Sequence, residues 1–508
     1  MRKHFFGFMT MLFAAGFCLA SCSKELPVVE EEPVGGYVIN IPVQMTSTRA
    51  VAEGDGKATA TFKTTDNVYI YNRTKNTWDS AVLHPAEADV SETLLTGTLN
   101  GTNYVEGHDL TVLYNTSSQG VVDYSAQDGT LDHVVDAGTA DVQIKSIVGG
   151  DITTGGADIQ NLQSIFRFVF KAGNTELSGI RFVRIFSSDN KLQTQYNVIS
   201  DTPTYGPITI SGSTNLENSD HHIYAGLRFT ANPGDAIAFQ VVTSDGKVYS
   251  GSKSAPSAGF VNGKFYTSTV NVNLYTFTVA SGKKVYFSPG DLGVEVIDNQ
   301  FVYSFTEPFT NWGQGITKNY QSYDAVKEVT QRTWFDFYFE SGLREGFSLY
   351  GITNWRIPTR VGSTVESYEW NYLVCYNNVG RTMNSGVNPY YIVTIPGHQY
   401  CLLLPPDEAQ SSDIGDDLTS GSVFDYIKYL GKGFVLLFNT NRATYGGRPA
   451  KWSWPSSTSS FFNQGFYWTW YNDSNRYYFT WPSAGPKVDW GSNRMRNHIR
   501  YVHDVTVE

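Results

Sequence analysis

The sequence predicts a mainly β protein in which two tandem β-sandwiches are followed by an α+β domain. Aromatic residues make up 15% of the chain and charged residues only 17%, a composition typical of β-rich extracellular proteins. Short alternating runs fill the first half, and no stretch there keeps a 3.6-residue period. The composition then changes, because 10 of the 11 Trp residues lie after residue 300.

A signal peptide is predicted over residues 1–21. A basic start precedes the apolar run Phe5–Phe17, which is too short to cross a bilayer as a mature helix. Small residues then precede Cys22, as in the cleavage site of a lipoprotein signal peptidase. Cys22 is therefore predicted to carry the lipid, a diacylglycerol and palmitate. The alternatives are an ordinary signal peptide cut near Ala20 and an uncleaved anchor.

Residues 22–36 are predicted to form a solvated, acidic tether. Removal of the signal leaves 35 basic against 48 acidic side chains, a net charge of −13 in place of −11. So acidic a protein is a poor partner for nucleic acid. Similar acidic tethers follow the lipidated cysteine in surface lipoproteins of Bacteroides-type bacteria, and this resemblance implies the outer face of the outer membrane.

The first half is predicted to contain short strands joined by turns. Asp245-Gly246 is the strongest hairpin signal, because both residues tolerate positive φ. A glycine-rich break at residues 148–156 divides this half into two β-domains, 37–152 and 153–275. The clearest predicted strands are 68–71, 110–114, 165–171, 180–186, 236–243 and 247–250.

Several segments of this half, in this order, resemble the Bacteroidales fimbrillins, a family of pilus subunits. The family carries two transthyretin-like β-sandwiches behind a lipoprotein signal, so the resemblance implies that fold for residues 37–275. The matching segments are 37–44 followed by 46–50, Phe62 with 66–71, 162–168, and 244–249 followed by 263–266.

The fimbrillin resemblance implies proteolysis between Arg49 and Ala50. In that family the first strand then leaves, and a strand of a neighbouring subunit fills the groove by β-strand addition. Pro42 predicts that the strand 37–44 lies at a poorly paired edge, which would ease its removal. The alternative is that Arg49 is an exposed loop residue without this role.

The C-terminal residues 276–508 contain the motif Trp355-Arg356-Ile357-Pro358-Thr359, followed by Glu369-Trp370. This motif resembles the C-type-lectin-like domain of bacterial surface proteins related to the sulfatase-modifying factors. A short helix is predicted over 366–373, with Trp370 facing the core. Glu369 is expected to pair with Arg356, and such a buried pair is structural rather than catalytic.

Enzymatic and metal chemistry find little support in the sequence. No cysteine follows Cys401, so the cysteine pair of the formylglycine-generating relatives is missing and no enzyme activity or cofactor is predicted. Cys375 and Cys401 could form one disulfide or remain two core thiols. Two polar clusters contain residue types that bind metals. Asp220-His221-His222 is interpreted as part of a strand whose neighbouring side chains point to opposite faces. Asp413, Asp416 and Asp417 are interpreted as an acidic, solvated loop.

Aromatic residues dominate a predicted hairpin near the C-terminus. Residues 466–471 and 477–481 flank the turn residues 473–475. One alternate set of side chains would face the core, and the other would form a candidate ligand surface containing Trp468, Trp470 and Trp481. The alternative is that both sets are buried.

These observations predict a fimbrial component, most consistent with a tip subunit, that binds a surface glycan or protein through its lectin-like domain. A globular C-terminal domain leaves no strand to donate, so the chain would end a fibre. The alternative is a non-polymerising outer-membrane lipoprotein that binds glycans or peptides. The fibre-end hypothesis requires that strand 37–44 is not locked between two paired neighbours and that the tail is not a loose arm.

Overall fold

The computed structural model describes most of the first 306 residues and separate segments of the remainder. In these residues the chain forms 33 strands and one short helix, so the predicted mainly β fold is confirmed. No helix in them is long and apolar enough to cross a membrane. The described residues are 36–45, 61–187, 191–230, 232, 234–298, 300–306, 343, 345–359, 369, 390–395, 398–405, 426–439, 466–472, 475–480, 487–490 and 500–506.

Eight of the first ten strands form one sheet that closes on itself. Its order is β10-β1-β4-β3-β2-β5-β8-β9, and β8 and β1 also pair with β10 and β9. The buried faces enclose the first core, which includes Ile39, Ile70 and Val112. The ten strands are β1 (Tyr37–Met45), β2 (Val68–Asn72), β3 (Thr77–Pro85), β4 (Glu92–Leu99), β5 (Asp109–Tyr114), β6 (Val121–Asp123), β7 (Ala126–Gln127), β8 (Gly138–Val148), β9 (Asp151–Thr154) and β10 (Ala157–Asn161).

The next eleven strands form a second sandwich of two sheets. One sheet has the order β12-β11-β17-β14-β15, with β20 beside β11 and β6 beside β14; the other has the order β21-β19-β18-β13-β16-β7. The eleven strands are β11 (Ser164–Ala172), β12 (Thr175–Glu176), β13 (Ile180–Ser187), β14 (Leu192–Asn197), β15 (Thr202–Tyr205), β16 (Ile208–Ser211), β17 (Ile223–Phe229), β18 (Ala236–Thr243), β19 (Val248–Ser254), β20 (Phe265–Asn271) and β21 (Asn273–Leu274).

The predicted boundary between residues 152 and 153 is wrong, because it falls inside β9. Both β9 and β10 belong to the first sheet, so the change of sandwich comes between Asn161 and Ser164. The prediction interpreted Gly149 and Gly150 as part of a break between domains. With φ of 60° and 92° they instead form the turn of the β8–β9 hairpin. The Asp245-Gly246 hairpin is present as predicted, between β18 and β19.

The remaining elements form four small sheets. Strands β23, β24, β22 and β33 make one, and the others are β25-β26, β27-β28-β29 and β30-β31-β32. Glu369 is helical, and the rest of the predicted helix 366–373 lies outside the described residues. The elements are β22 (Phe277–Ala280), β23 (Lys283–Ile297), β24 (Gln300–Thr306), β25 (Phe347–Leu349), β26 (Ile352–Trp355), β27 (Tyr390–Ile395), β28 (His398–Leu403), α1 (Tyr426–Leu430), β29 (Val435–Asn439), β30 (Phe466–Asn472), β31 (Asn475–Thr480), β32 (Lys487–Trp490) and β33 (Arg500–Asp504).

The C-terminal region packs as a third layer on the second sandwich. On β13, Val183 faces the core of the sandwich, whereas Phe182 joins a second apolar cluster with Trp355 and Tyr501. Val242 of β18 takes part in the same cluster. The middle sheet is therefore covered on both faces, which explains why its strands are buried almost throughout.

Candidate functional site

The first strand, β1, is paired along both of its edges. It runs antiparallel to β4 from Tyr37 to Gln44. On its other side it runs parallel to β9 at Val38–Asn40 and to β10 at Val43–Met45. We call the space between β4 and the β9–β10 edge the β1 slot, and β1 fills it from end to end.

The prediction that Pro42 marks a poorly paired edge is wrong. On the β4 side, the Met45 N–H donates to the carbonyl oxygen of Ser91, which precedes β4, at 3.0 Å. On the other side, the Val38 N–H donates to the carbonyl oxygen of Gly150, which precedes β9, at 3.0 Å. Backbone groups alternate in direction along a strand, so Pro42 faces the β9–β10 side. It lies between the segments of β1 that pair with β9 and with β10, so neither of these two strands is in register with it. The missing proline donor is therefore tolerated inside the sheet.

Burial adds to the hydrogen bonds that hold β1. Its inward side chains alternate with exposed ones, and Tyr37, Ile39, Ile41 and Val43 are all buried in the first core. Full burial of one large apolar side chain contributes about 1.5 to 3 kcal/mol. The four together contribute roughly 6 to 12 kcal/mol, comparable to the whole stability of a typical domain. Cleavage of the chain alone would therefore not release β1.

The predicted lipidation and cleavage residues lie outside the described residues. Cys22 precedes the first of them, and Arg49 and Ala50 fall between β1 and Phe62. The segment 46–60 joins β1 to the rest of the first sandwich in sequence. Lipidation and cleavage stay predictions.

Arg356 and Glu369 form the predicted buried pair. Arg356 Nη1 donates to Glu369 Oε2 at 2.6 Å, and Nη2 donates to Oε1 at 2.9 Å. The Thr359 N–H donates to Glu369 Oε2 at 2.7 Å. The side chain of Glu369 is 0% exposed, so these donors replace the water that its carboxylate loses.

Two partners that the sequence analysis missed complete this cluster. Asp504 of β33 accepts from Arg356 Nη2 at 2.6 Å and from Nε at 2.9 Å. Lys283 Nζ lies 3.1 Å from Glu369 Oε1 and 3.5 Å from Asp504 Oδ1. We call Lys283, Arg356, Glu369 and Asp504 the ionic cluster. Two cations offset two anions, so it suits a framework role rather than catalysis.

The pKa shifts in the ionic cluster follow from this arrangement. Burial by itself lowers the pKa of Arg356, but hydrogen bonds to Asp504 and Glu369 and their charges raise it above its ordinary value. Burial raises the pKa of Asp504, but the Arg356 hydrogen bond and the charges of Arg356 and Lys283 bring it below the usual range. All of these shifts favour the charged forms.

Trp355 and Pro358 lie beside the ionic cluster. Trp355 is fully buried, and its ring meets Phe305 and His503 edge-on, with centroid distances of 5.4 Å. Pro358 lies between Ile357, which is buried, and Thr359. Trp370 lies outside the described residues. The described motif residues are therefore placed as framework residues.

A second buried pair joins both ends of the C-terminal region. Arg500 Nη1 donates to Asp291 Oδ1 at 3.3 Å, and the two side chains are 3% and 0% exposed. Ser288 Oγ accepts from the Tyr501 N–H at 3.2 Å. The sequence analysis missed this pair, although a single Arg before the apolar Tyr501-Val502 was an available signal.

Arg184 of β13 bonds the second sandwich to the C-terminal region. Its side chain is 1% exposed and donates to Pro289 O at 2.7 Å and to Phe305 O. Gln240 and Ser250 continue a polar row across the same sheet, since Arg184 is paired with Gln240 and Gln240 with Ser250. The sequence contains a signal for this buried arginine, because Arg184 lies in the apolar run 182–186. Such a row favours one alignment of the two layers.

The candidate ligand surface is described only by its backbone. Trp468 and Trp470 lie on β30, which forms the predicted hairpin with β31. The register shifts between Trp468 and Tyr471, so the strict alternation used to predict an exposed aromatic face is interrupted. Trp481 lies outside the described residues, and the ligand surface stays a prediction.

The remaining predicted sites lie only partly within the described residues. Cys401 lies on β28 opposite Ile392 and Leu437, while Cys375 and the acidic loop 413–417 lie outside the described residues. Asp220-His221-His222 lies between β16 and β17. Within the described segments, no group of three His, Cys, Asp or Glu residues could hold a metal ion.

Comparison with known proteins finds only distant structural likenesses. No family model and no curated protein matches the chain. A candidate cell adhesion protein from Bacteroides uniformis is 16% identical, with 47% of this chain and 96% of that one covered and a TM-score of 0.30. A fimbrial assembly protein from Parabacteroides distasonis is 10% identical, with 53% and 98% covered and a TM-score of 0.27.

A shaft pilin from Lactobacillus rhamnosus is also similar. It is 12% identical, with 46% of this chain and 97% of that one covered and a TM-score of 0.21. These likenesses are too weak to assign a family or a function. The proposals below therefore depend on the residues of this chain.

Proposed function

We propose that this chain is a pilus-related adhesion protein of the bacterial cell surface, anchored through lipid on Cys22. One observation supports the proposal: the inward side chains of the N-terminal strand β1 are apolar and alternate with exposed ones, and its backbone pairs with β4, β9 and β10. Main-chain hydrogen bonds and alternate side chains are the basis of strand addition between proteins. Arg49 and Ala50 follow β1 directly, where cleavage would separate it from the chain.

The pairing of β1 on both edges is the arrangement that the fibre-end hypothesis required to be absent. Exchange of β1 therefore needs a route other than the release of an edge strand. A strand at an edge could peel away, whereas loss of β1 would leave two unpaired edges and an open core. An incoming strand must therefore displace β1 stepwise, regaining each bond and each buried side chain as β1 loses it. Cleavage after Arg49 makes β1 replaceable in this proposal, but it does not eject it.

The fibre-end role is the finer part of the proposal. β33 pairs with β23 on one side, and on the other Val502 and Arg356 exchange two backbone hydrogen bonds of 3.0 and 2.8 Å. Ion pairs hold Arg500 and Asp504 near its two ends. The described tail is thus not a loose arm. If β33, held in this way, is not donated, a chain with an acceptor slot would occupy the tip of a fibre and expose its C-terminal region.

A non-polymerising surface lipoprotein is the second candidate function. The pairing of β1 on both edges favours it, because this was the arrangement expected to contradict a removable first strand. In this case β1 is a permanent part of the first sandwich, and adhesion depends on the C-terminal region alone. A glycan or a peptide would be the ligand, with Trp468, Trp470 and Trp481 as the proposed contacts.

The experiment compares Arg49→Ala with Arg49→Lys in cells that assemble pili. A trypsin-like protease cuts after Lys as well as Arg, so Arg49→Lys is the matched control. We expect wild type and Arg49→Lys to be incorporated into pili and Arg49→Ala to stay at the membrane. Normal incorporation of Arg49→Ala would remove the cleavage and exchange steps. Retention of all three at the membrane would support the non-polymerising function.

Ligand binding is tested on the intact mature chain. Residues 276–508 alone would expose the face that covers Phe182, Val242 and Val248, and nonspecific adsorption would follow. We expect glycan-array signals from the whole chain that fall on Trp468→Ala or Trp470→Ala. Signals that persist in both variants would exclude this aromatic hairpin as the contact.

A further inference from the structure

Residues 115–137 leave the first sandwich between β5 and β8 and lie across the second. We call this segment the strap. Its strand β6 runs antiparallel to β14, with Val121–Asp123 opposite Gln195–Asn197. Its strand β7 runs parallel to β16, with Ala126 opposite Thr209. The strap therefore joins both sheets of a sandwich to which its flanking strands do not belong.

The strap also supplies part of the second core. Val122, Tyr124 and Ala137 are 3%, 0% and 0% exposed and belong to the apolar cluster between the two sheets. Gly129 is in close contact with this core, since an added Cβ would lie 3.1 Å from Ile210 Cγ2. The second sandwich is thus incomplete without residues that the first sandwich contributes.

Gln127 fixes the position of the strap on β17. Its Nε2 donates to Gly226 O at 2.9 Å, and its Oε1 accepts from the Gly226 N–H at 2.8 Å. The side-chain amide of Gln127 thereby makes the two hydrogen bonds that the backbone of a neighbouring strand would make with Gly226. A side chain at Gly226 would be excluded, because an added Cβ would lie 2.3 Å from Val135 O.

The far end of the strap is bonded to the junction between the sandwiches. The Leu162 N–H donates to Ala137 O at 2.9 Å, and the Ala137 N–H donates to Gln163 Oε1 at 3.2 Å. Both flanks are held in the first sheet, where β5 pairs with β8 from Asp109 to Tyr114. Separation of the sandwiches would require β6, β7 and Tyr124 to be pulled out of the second.

We infer that the strap makes the two sandwiches one cooperative unit that unfolds as a whole. Tandem domains usually meet through small interfaces and move relative to each other. Here the polypeptide chain runs from the first sandwich into the core of the second and then returns to the first. The inference does not depend on how β1 is processed.

Native-state hydrogen exchange of the full chain tests the inference. Ile70→Ala makes a cavity in the first core, where Ile70 is 0% exposed. We expect exchange to accelerate at least about tenfold at core amides of the first sandwich and by the same factor at Val183 and Val241 of the second. Acceleration confined to the first sandwich would overturn the inference.

A second variant tests the strap itself. Gln127→Ala removes the two bonds to Gly226, and Gln119→Ala, an exposed residue of the same strap, is the matched control. We expect the effect of Ile70→Ala on the second sandwich to shrink in the Gln127→Ala background and to persist in the Gln119→Ala background. An equal effect in both backgrounds would show that the strap is not the coupling element.

Discussion

The first strand and the last strand of this chain are both paired on two sides, but different forces hold them. β1 has a continuous register of eight pairs with β4, and its inward side chains are all apolar. β33 pairs with β23 in two short pieces separated by a register shift. Buried or partly buried charges hold its ends: Arg500 on Asp291, and Asp504 on Arg356.

The difference has a functional consequence. Main-chain pairing with alternate buried side chains is the arrangement used in strand addition, in which the pockets for those side chains give specificity. Charge pairs with fixed geometry accept few substitutes. The charge pairs therefore make β33 the less exchangeable of the two strands, and exchange of β1 stays a proposal. Four substitutions test this contrast between β1 and β33.

Ile41→Asp places a charge in the part of β1 that is most deeply buried. Ile41 is 0% exposed, and an unpaired buried carboxylate destabilises a protein by more than about 4 kcal/mol. We expect loss of exchange protection throughout the first sheet. Asn40→Asp, at the exposed neighbour, is the matched control and should change the free energy of unfolding little. A small effect of Ile41→Asp would mean that β1 is held by its backbone alone.

Glu369→Gln removes one anion of the ionic cluster. Removing one partner of a buried pair costs about 3 to 5 kcal/mol, and we expect faster exchange at the Arg356 and Val502 amides. Arg73→Gln breaks the surface pair with Asp141, whose side chains are 45% and 55% exposed. That control should cost less than about 1 kcal/mol. Equal effects of the two variants would contradict a specific ionic hold on β33.

Asp504→Asn tests the pH dependence of the same cluster. The pKa of Asp504 is lowered in the folded protein, so its carboxylate stabilises the fold above the unfolded value of about 3.9. This stabilisation disappears as the pH falls through the lowered pKa. The side chain is 50% exposed, so we expect the variant to lose less than about 1 kcal/mol at neutral pH. The difference in denaturant unfolding between the two proteins should then shrink as the pH falls through the lowered pKa of Asp504; an undiminished difference in acid would contradict the charge effect.

Pro42→Ala should have the smallest effect. The position faces the interruption between β9 and β10, so the new N–H finds no strand partner but remains near solvent. We expect the free energy of unfolding to change by less than about 1 kcal/mol. Thermal unfolding measures it. A gain well above this value would show that the proline weakens β1, as the edge prediction assumed.

Local patterns predicted the elements and the closest pair. The alternation of β1, the strands β2 and β5, and the Asp245-Gly246 hairpin all depend on neighbours in sequence. Arg356 and Glu369 are only 13 residues apart, within reach of a motif. Asp504 lies 148 residues from Arg356, and Asp291 lies 209 residues from Arg500. No local pattern specifies such partners.

The sequence was enough to predict a mainly β chain and the positions of several strands, because strand preference and turn residues act between neighbours in the chain. Only the tertiary structure decided which strands became neighbours. In the tertiary structure β9 and β10 pair with the second edge of β1, the strap lies in the second sandwich, and a third layer covers β13. These contacts join segments far apart in the chain, and the free energy of the whole core, not local preference, selects among them.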